Sequence, residues 1–438
     1  MSIGYCPIMG LGYRRKTQYA FFSFFILLRA RPNRVEGYFG MGSYHLQENS
    51  GVSPRKNSGR NQLESGFYFF LYASQKHGEP LNRLEMPVAF TDISRVVEAE
   101  SLLCLGVVSL ENSTEYAQAF QRYTAWIGEK RHAEMAWLEA HAKARRDPHT
   151  ILVGARTAVI FALPYAEEGA RTERGPQVAQ YARFADYHKI LKKKGERIVL
   201  GLKGLSLPLA ADFRVIVDTA PVLERALAAS TLRGFIGKNT CYIHPERGSF
   251  LLLGEILTSL PLTPDTKVPV DENRRTADGG CGSCDLCQVS CPTGALSDDY
   301  KIDAKKCLSY WTIEHRGPIP ERFWPWLGSY YYGCDLCQLA CPYNWRATGN
   351  RLPSQIPKRI YPSLYEVAIM SQSAYENYFG GTALTRAKRN GLRRNALIAM
   401  TVTRDFLLAK ALEIVKEDCP SPLAETLIQI ENYRMKNI

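Results

Sequence analysis

Residues 280–291, GCGSCDLCQVSC, and residues 333–341, GCDLCQLAC, hold seven of the twelve cysteines in this sequence of 438 residues. The first stretch has the spacing C-x2-C-x2-C-x3-C and is followed by a proline. The second stretch repeats only the last three cysteines and the proline, with Tyr331 where the first cysteine would stand. Seven thiolates cannot close two four-cysteine sites and eight can, so Cys307, which lies between the stretches, is the expected eighth ligand.

The C-x2-C-x2-C-x3-C-P spacing is typical of bacterial ferredoxins with two 4Fe–4S clusters, in which the fourth cysteine binds the other cluster. We therefore predict two clusters whose ligands cross over between the stretches. The first set is Cys281, Cys284, Cys287 and Cys341, and the second is Cys291, Cys307, Cys334 and Cys337. Structural zinc is the alternative, because two C-x2-C pairs can hold one zinc ion. The third cysteine and the duplicated C-D-L-C-Q-x-x-C-P motif favour clusters, and the tight spacings argue against a disulfide framework.

The net charge of +12 indicates an anionic partner such as nucleic acid. About half of the excess lies in residues 1–85, so the rest of the chain is only mildly basic. Residues 1–85 show no amphipathic period, and their apolar run at 19–28 is too short to span a bilayer. With Arg14 and Arg15 before it, this run could be an export signal, but no small-residue cleavage site follows. We predict a disordered or mis-assigned extension before a folded protein that begins at Met86, with no membrane association.

Strands and helices alternate after Met86. Apolar runs predict strands at 103–108, 157–163 and 214–218, and a long helix is expected at 114–145. This pattern predicts an α/β domain over residues 86–277. Ligands of such sheets lie beyond the carboxyl ends of the strands, and Asp218 stands at one such end, just before a predicted helix.

Two further regions follow the α/β domain. The cysteine stretches define a ferredoxin-like domain of the inserted type over residues 278–350, and residues 351–438 are predicted to form a C-terminal helical appendage of HEAT-like type. The α/β domain has no G-x-G-x-x-G loop, so the sequence gives no support for a flavin or nicotinamide cofactor.

From about Met86 to Ile438 the chain resembles the epoxyqueuosine reductases, cobalamin-dependent iron–sulfur enzymes of queuosine synthesis in tRNA. The resemblance rests on ordered motifs: RDP at 146–148, YAR-x-x-DYH at 181–188, VDTAPVLER at 217–225, GFIGKNT at 234–240, GSFLLLGEILT at 248–258, CLSYWTIEH at 307–315 and RNALIAM at 394–400. It implies that the α/β domain binds cobalamin. It also implies reduction of an epoxide, carried on a modified guanine of the tRNA anticodon stem-loop, to the alkene of queuosine, with electrons relayed from an external low-potential donor through both clusters.

The resemblance implies that Asp218 of the VDTAP motif is the proton donor. A donor at neutral pH must be partly protonated, so we expect an apolar, desolvated site around Asp218. The residues alone favour a helix N-cap instead, since aspartate is a common cap. Asp186 and His188 are the other candidates. We do not make His188 a cobalt ligand, because Leu191 replaces the glycine of the D-x-H-x-x-G motif, and we expect a hydrogen-bonded structural histidine.

The resemblance also implies cobalamin contacts from scattered positions. We expect them at Arg146, Arg183, Asp218, Tyr242 and Leu253, and from the backbone near Leu308, Cys334 and Asp335. Phe184 and Ala185 depart from the family's usual small and polar pair beside Arg183. For tRNA phosphates the candidates are His315, Arg316 and the basic run at 386–394, for which a solvated surface is the alternative. A cytoplasmic monomer is expected.

Two other functions compete with this reading. A reductive dehalogenase would share the cobalamin and the paired clusters, but it would act on a small organohalide, carry an export signal and need no tRNA. The VDTAPVLER and RNALIAM motifs argue against it. A non-catalytic electron carrier would not need the α/β domain that precedes the clusters.

Overall fold

The computed structural model of the protein describes residues 88–111, 113–166, 177–205, 211–264, 280–297, 300–347 and 361–436. The predicted extension over residues 1–85 lies outside this part of the chain. The described residues belong to one compact unit, Arg83–Ile438. No helix among them combines the length and the apolar character needed to cross a bilayer.

Eight strands and fifteen helices are formed by the described residues. The strands are β1 Leu103–Ser109, β2 Thr157–Pro164, β3 Gln177–Val178, β4 Phe213–Ile216, β5 Phe235–Ile236, β6 Tyr242–Ile243, β7 Leu251–Thr258 and β8 Tyr330–Tyr332. The helices are α1 Phe90–Ala99, α2 Thr114–Gly128, α3 Ala136–Ala140, α4 Ala142–Arg146, α5 Tyr187–Lys203, α6 Glu224–Ser230, α7 Leu286–Val289, α8 Trp324–Leu327, α9 Leu336–Leu339, α10 Pro342–Trp345, α11 Leu364–Ile369, α12 Gln372–Phe379, α13 Lys388–Val402, α14 Leu408–Glu417 and α15 Ser421–Lys436.

The central sheet has the strand order β1-β2-β7-β4, and every neighbouring pair is antiparallel. The expected α/β character with a helical C-terminal part is confirmed. The rule about carboxyl ends was made for parallel sheets, however, so it does not explain this site. Asp218 nevertheless follows the last residue of β4 by two positions.

Helices cover both faces of the central sheet. On one face, Phe161 of β2 packs in a core with Ile93 of α1 and Leu191 of α5. On the other face, Ile160 packs in a core with Leu227 of α6. Successive residues of a strand point to opposite faces, so the unbroken apolar run of β2 needs a cover on each side.

The long helix expected at 114–145 is wrong in its middle part. α2 ends at Gly128, and helical structure resumes only at Ala136. Lys130 and Ala133 have φ angles of +52° and +53°, in the left-handed region that no α-helix accepts. The chain therefore turns between α2 and α3 although its residues favour a helix.

The cysteine-bearing segment and the C-terminal helices share one apolar core. Leu308 and Tyr332 pack there with Val367 of α11 and Leu397 of α13. Short strand β8 also pairs in parallel with β3, which precedes α5. The predicted domain boundaries at 277/278 and 350/351 and the HEAT-like character of the last helices stay predictions.

Arg394 and Asn395 of α13 bind the backbone of the segment between the two cysteine stretches. The guanidinium of Arg394, which is 2 % exposed, donates to the carbonyls of Trp311 at 2.8 Å, His315 at 3.0 Å and Gly317 at 2.6 Å. The amide of Asn395 donates to two more carbonyls, of Thr312 and Tyr331. Charged donors of this kind give strong hydrogen bonds, so α13 fixes the backbone around Cys307.

Candidate active site

Asp218 lies in a strained turn directly after β4. Its φ angle is +51°, which a non-glycine residue rarely adopts without a functional or structural reason. Helix α6 begins only at Glu224, with Leu223 at its N-cap position. The N-cap interpretation of Asp218 is therefore wrong, because five residues separate the aspartate from the helix.

The carboxylate of Asp218 accepts two hydrogen bonds from α5. The hydroxyl of Tyr187 donates to Oδ2 at 2.7 Å, and Nε2 of His188 lies 3.1 Å from the same oxygen. The other ring nitrogen of His188 lies 2.7 Å from Oδ1 of Asp186, which caps α5. The structure thus brings together all three acidic and basic candidates, Asp186, His188 and Asp218. The side chain of Asp218 remains 57 % exposed, so a ligand can reach it.

These contacts decide the protonation of Asp218 in the free protein. Burial by the surrounding protein raises the pKa of the carboxyl, but the hydrogen bonds from His188 and Tyr187 outweigh it, and the pKa lies below its usual range. The expectation that the pKa of Asp218 is raised is therefore wrong for the free protein. Burial lowers the pKa of His188, but the carboxylates of Asp218 and Asp186 raise it by more. The net effect is a raised pKa, so the imidazole holds its proton more tightly than usual.

The sequence interpretation missed two carboxyl groups behind Asp218. The backbone N–H of Asp218 donates to Oε1 of Glu224. Glu255 is fully buried in β7, where it pairs with Ile216 of β4. A single acid within the apolar strand LLLGEILT was the available signal for Glu255. Tyr187 was also missed, although it stands next to His188 in a quoted motif.

The thiols of the first predicted set are neighbours in the structure. Burial raises the pKa of Cys287 to about 11, and the nearby thiolates of Cys281, Cys341 and Cys284 raise it further. The backbone N–H of Lys238 donates to Sγ of Cys281 at 3.4 Å. Cys341, which lies about fifty residues further along the chain, therefore meets the first cysteine stretch, as the crossover assignment requires.

The thiols of the second predicted set are also neighbours. Burial raises the pKa of Cys337 well above its usual range, and the nearby thiolates add to this effect: Cys241, which is not a predicted ligand, and Cys334, Cys307 and Cys291. Hydrogen bonds from backbone N–H groups work against the effect of burial and lower the pKa of two of these thiols: from Tyr310 and Ser309 at Cys307 and from Leu336 at Cys334. Such N–H groups stabilise thiolates and tune cluster potentials. Among the described residues, no three His, Cys, Asp or Glu side chains converge closely enough to hold a single metal ion.

The two cysteine sets lie next to the segment that leads to Asp218. Oδ2 of Asp335, between Cys334 and Cys337, accepts the backbone N–H of Gln180 at 2.8 Å. Seven residues later, Tyr187 begins α5 and contacts Asp218. The cysteine-bearing segment and the acidic site are therefore parts of one continuous structure.

The predicted cobalamin contacts are spread over several parts of the structure. Arg146 is exposed and lines a cavity of about 410 Å³, together with Ser113, Phe120, Leu227 and other residues of α2 and α6. Tyr242 and Leu253 belong to the apolar core behind α6. Arg183 and Asp335 are buried near β3 and β8, where Nε of Arg183 donates to the carbonyl of Val178 at 2.6 Å. Leu308 is buried in the core shared with the C-terminal helices.

The basic run at 386–394 is not one continuous surface. Arg393 is buried and donates to the carbonyl of Ala368 at 3.0 Å. Arg389 donates to the carbonyl of Met370 at 2.9 Å. With Arg394 also buried, the prediction of a solvated or phosphate-binding face is wrong for these three residues. Arg386 and Lys388 are exposed and remain candidates for tRNA phosphates.

Two family models match the chain. Residues 280–344, which contain all eight predicted ligands, match the 4Fe-4S double cluster binding domain. Residues 145–219, which run from α4 to Asp218, match the family described as epoxyqueuosine reductase QueG, DUF1730.

Curated relatives extend this match over most of the chain. The epoxyqueuosine reductase of Salmonella typhimurium is 37 % identical over 288 residues, which cover 63 % of this chain and 71 % of the relative. That of Escherichia coli is 34 % identical over 320 residues, which cover 70 % and 80 %. The chain belongs to the epoxyqueuosine reductase family. The resemblance drawn from the motifs is thereby confirmed, and the double-cluster model supports the two 4Fe–4S clusters.

Solved structures of the family have the same fold. The epoxyqueuosine reductase of Streptococcus thermophilus superposes with a TM-score of 0.62 at 27 % identity, over 78 % of this chain and 88 % of that one. A second structure, at 24 % identity and a TM-score of 0.62, is of epoxyqueuosine reductase with an epoxyqueuosine-modified tRNA-Tyr stem loop. A third, from Bacillus subtilis, has its catalytic aspartate loop swung out of the active site.

Proposed function

We propose that this protein reduces epoxyqueuosine in tRNA to queuosine, as the names of its relatives describe. The observation that carries the proposal is the carboxylate of Asp218, held by Tyr187 and His188 at an open site beside the cysteine-bearing segment. The family model that covers Asp218 and the relatives at 34–37 % identity support it.

The reaction takes two electrons and two protons, removes the epoxide oxygen as water and leaves a carbon–carbon double bond. Cobalamin would supply an electron-rich cobalt centre, and the two clusters would carry electrons to it one at a time. The protein's own tasks are to bind and orient the base, to exclude water and to deliver protons.

The residues on two sides of the site fit cobalamin. The cavity of about 410 Å³ beside Arg146 lies in the size range of small-molecule pockets and has room for a side group of the corrin. Asp218 is exposed two residues beyond the end of β4. We assign Arg146 to the polar groups of the cofactor and Asp218 to its reactive face. Tyr242 and Leu253 would line the site from behind, and Arg183, Leu308, Cys334 and Asp335 would line it from the cluster side.

We assign proton delivery to Asp218 and His188. Oxygen leaves the epoxide as water only after it gains protons, so an acid must stand beside it. The pKa of Asp218 is lowered and that of His188 is raised, so His188 holds a proton in preference to Asp218 in the free protein. A proton that moves from Nε2 of His188 to Oδ2 of Asp218 makes Asp218 the acid, and the substrate oxygen then receives it.

The tRNA must present its modified base outside the helical stack of the anticodon. Enzymes that act on a base take it into a pocket, because the reacting atoms are otherwise covered by neighbouring bases. Arg386 and Lys388 are the exposed cations that we assign to the phosphates. A monomeric state, a cytoplasmic location and an external low-potential electron donor remain predictions.

The deciding experiment is turnover of epoxyqueuosine-containing tRNA by the full chain, purified anaerobically, reconstituted with cobalamin and reduced chemically. We expect about eight iron atoms per chain from two 4Fe–4S clusters, bound cobalt, and queuosine detected by mass spectrometry of the tRNA nucleosides. Asp218→Asn should lower kcat by about 10²–10⁴. The control is Asp212→Asn, an exposed aspartate just before β4.

Other results would support the competing functions. Full turnover by Asp218→Asn would remove the proposed proton donor. Iron without cobalt, together with no product, would leave an electron carrier. Reduction of an organohalide without any activity on tRNA would indicate a dehalogenase.

A further inference from the structure

Glu255 is a fully buried carboxyl group in the middle of the central sheet. Its strand neighbours are Ile160 of β2 and Ile216 of β4. Neither of its carboxyl oxygens accepts a hydrogen bond from an N–H or O–H group of the described residues. A bare carboxylate in such a place costs many kcal/mol, so the group stays neutral instead. Burial accordingly raises the pKa of Glu255 well above its usual range.

The carboxyl of Glu224 on α6 is the acidic neighbour of Glu255, and its charge raises the pKa of Glu255 beyond the effect of burial. Two carboxyl groups in contact cannot both be ionised, and a proton on one of them becomes the hydrogen bond between them. Glu255 is the more deeply buried partner and the natural donor. Burial and the charge of Asp218 raise the pKa of Glu224 to about 8, so this acceptor side is also readily protonated.

Glu224 holds the peptide of Asp218 from the other side. Its Oε1 accepts the backbone N–H of Asp218, the residue with the φ angle of +51°. The same bond therefore keeps the turn in a conformation that the aspartate would otherwise leave.

Other titratable groups surround the pair without replacing either member. Tyr116 of α2 donates its hydroxyl hydrogen to the carbonyl of Arg145, at 2.8 Å, and so has none for Glu255. Tyr187 of α5 donates to Asp218, and His188 lies against the same carboxylate. Arg225, next to Glu224, donates to the carbonyl of Thr240.

We propose that Glu255 is a protonated acid that donates to Glu224, and that Glu224 in turn positions the peptide of Asp218 for catalysis. Both glutamates are positioning residues, because they act through Asp218 and not on the substrate. The catalytic part of this inference rests on the proposed function, in which Asp218 delivers the proton. The proposed hydrogen bond between the two glutamates does not depend on that function.

Two measurements without substrate or cobalamin test the pair. The infrared spectrum of the wild-type protein should contain a protonated-carboxyl C=O band that is absent from Glu255→Gln. Hydrogen–deuterium exchange of a peptide covering residues 217–223 should rise at least tenfold in Glu224→Leu, which has no acceptor for the Asp218 N–H. Glu224→Gln keeps a carbonyl acceptor and an N–H donor toward Glu255, so its exchange should match that of the wild type.

Turnover measurements on variants of Glu224 then test whether the pair contributes to catalysis. We expect Glu224→Leu to lower kcat about 10–100-fold with KM little changed, as when a transition-state interaction is lost, and Glu224→Gln to restore most of kcat. Iron content and the unfolding midpoint of each variant show whether it is folded.

Three results would overturn the proposal: a wild-type spectrum without the band, unchanged exchange in Glu224→Leu, or equal losses in the Leu and Gln variants. Normal turnover by Asp218→Asn would instead refute the proposed function, while the infrared and exchange results would still stand.

Discussion

The Nε2 atom of His188 lies 3.1 Å from Oδ2 of Asp218, and the hydroxyl of Tyr187 donates to that same oxygen at 2.7 Å. One carboxylate oxygen therefore has two donors, one of which carries a charge when protonated. This arrangement holds the carboxylate ionised until a substrate competes for it, and it keeps the next proton one hydrogen bond away.

Removal of the imidazole should change the pH dependence of turnover. In His188→Ala the imidazole that holds the proton is lost, and Asp218 must hold it instead. The pKa of Asp218 rises without its cationic donor, but the ordinary pKa of an aspartate is only 3.8, so the alkaline limb of kcat/KM should move to lower pH. The maximal kcat should fall about 10–100-fold, since general acid–base groups contribute about 10²–10⁴ in total. Lys189→Ala, an exposed neighbour on α5, is the control. An unmoved alkaline limb would contradict the assigned role of His188.

Glu224 should make the protein less stable as the pH rises. The ordinary pKa of a glutamate, which applies to the unfolded chain, is 4.5, and the pKa of Glu224 in the folded protein is about 8. The folded protein therefore binds this proton more tightly than the unfolded chain does. The contribution to stability is full below pH 4.5 and is lost as the pH rises through about 8. Compared with Glu224→Gln, the wild type should lose up to about 5 kcal/mol more between these limits, because each unit of pKa shift corresponds to about 1.4 kcal/mol. Chemical unfolding of both proteins measures this loss. Parallel pH profiles of the two proteins would contradict this expectation.

The crossed cluster ligands predict an unusual pattern of iron contents in double variants. Cys287 and Cys291 are four residues apart, yet we assign them to different clusters. Cys291→Ser with Cys334→Ser should leave about four iron atoms per chain, as either single variant does, because one 4Fe–4S cluster is lost in each case. Cys287→Ser with Cys291→Ser should leave almost none. Retention of half the iron in this last variant would refute the crossover.

Arg394 should be needed for the cysteine-bearing segment to keep its structure. Arg394→Met leaves three carbonyls at residues 311–317 without their donor, and unpaired buried groups cost about 1–3 kcal/mol each. We expect a loss of about 3–5 kcal/mol in the free energy of unfolding and a lower iron content. Arg434→Gln, an exposed arginine on α15, should change neither quantity. Full iron and wild-type stability in Arg394→Met would show that water replaces the guanidinium without cost.

Lys388 should contribute to tRNA binding through charge alone. Lys388→Gln should weaken binding of a tRNA anticodon stem-loop several-fold at low salt and reduce the slope of log K against log salt by about one contact. Lys192→Gln, an exposed lysine on α5, serves as the comparison. Equal salt slopes in all three proteins would exclude a phosphate contact at Lys388.

The parts of the fold that the sequence predicts are those set by local pattern. Apolar runs located β1 and β2, because neighbouring residues decide these elements. The antiparallel order of the sheet was not predicted, since pairing of β2 with β7 joins residues about one hundred positions apart. The break between α2 and α3 was also missed. The two residues with left-handed backbone conformations there, Lys130 and Ala133, are not glycines, so the sequence does not indicate the turn.

The candidate active site also has parts that the sequence predicts and parts that it does not. Cysteine spacing is a local signal, so the ligand sets could be proposed from the sequence, and the ordered motifs identified Asp218. The partners of Asp218 were harder to foresee. Tyr187 of α5 and Glu224 of α6 contact it, Glu255 of β7 lies behind Glu224, and only the folded chain brings these elements together. The protonation of Asp218 could not be predicted, because it results from the balance between burial and two donors.

The bonds from α13 to the carbonyls at residues 311–317 also set an order of events during biosynthesis. The ribosome releases all eight cysteines before it makes Arg394 and Asn395. Until α13 emerges, the backbone around Cys307 has no partner for these carbonyls except water. The segment therefore reaches its final shape only after α13 has left the ribosome. Iron and sulfide delivered earlier would meet a chain whose second set of thiols is not yet held in place, so cluster insertion should follow synthesis of the C-terminal helices.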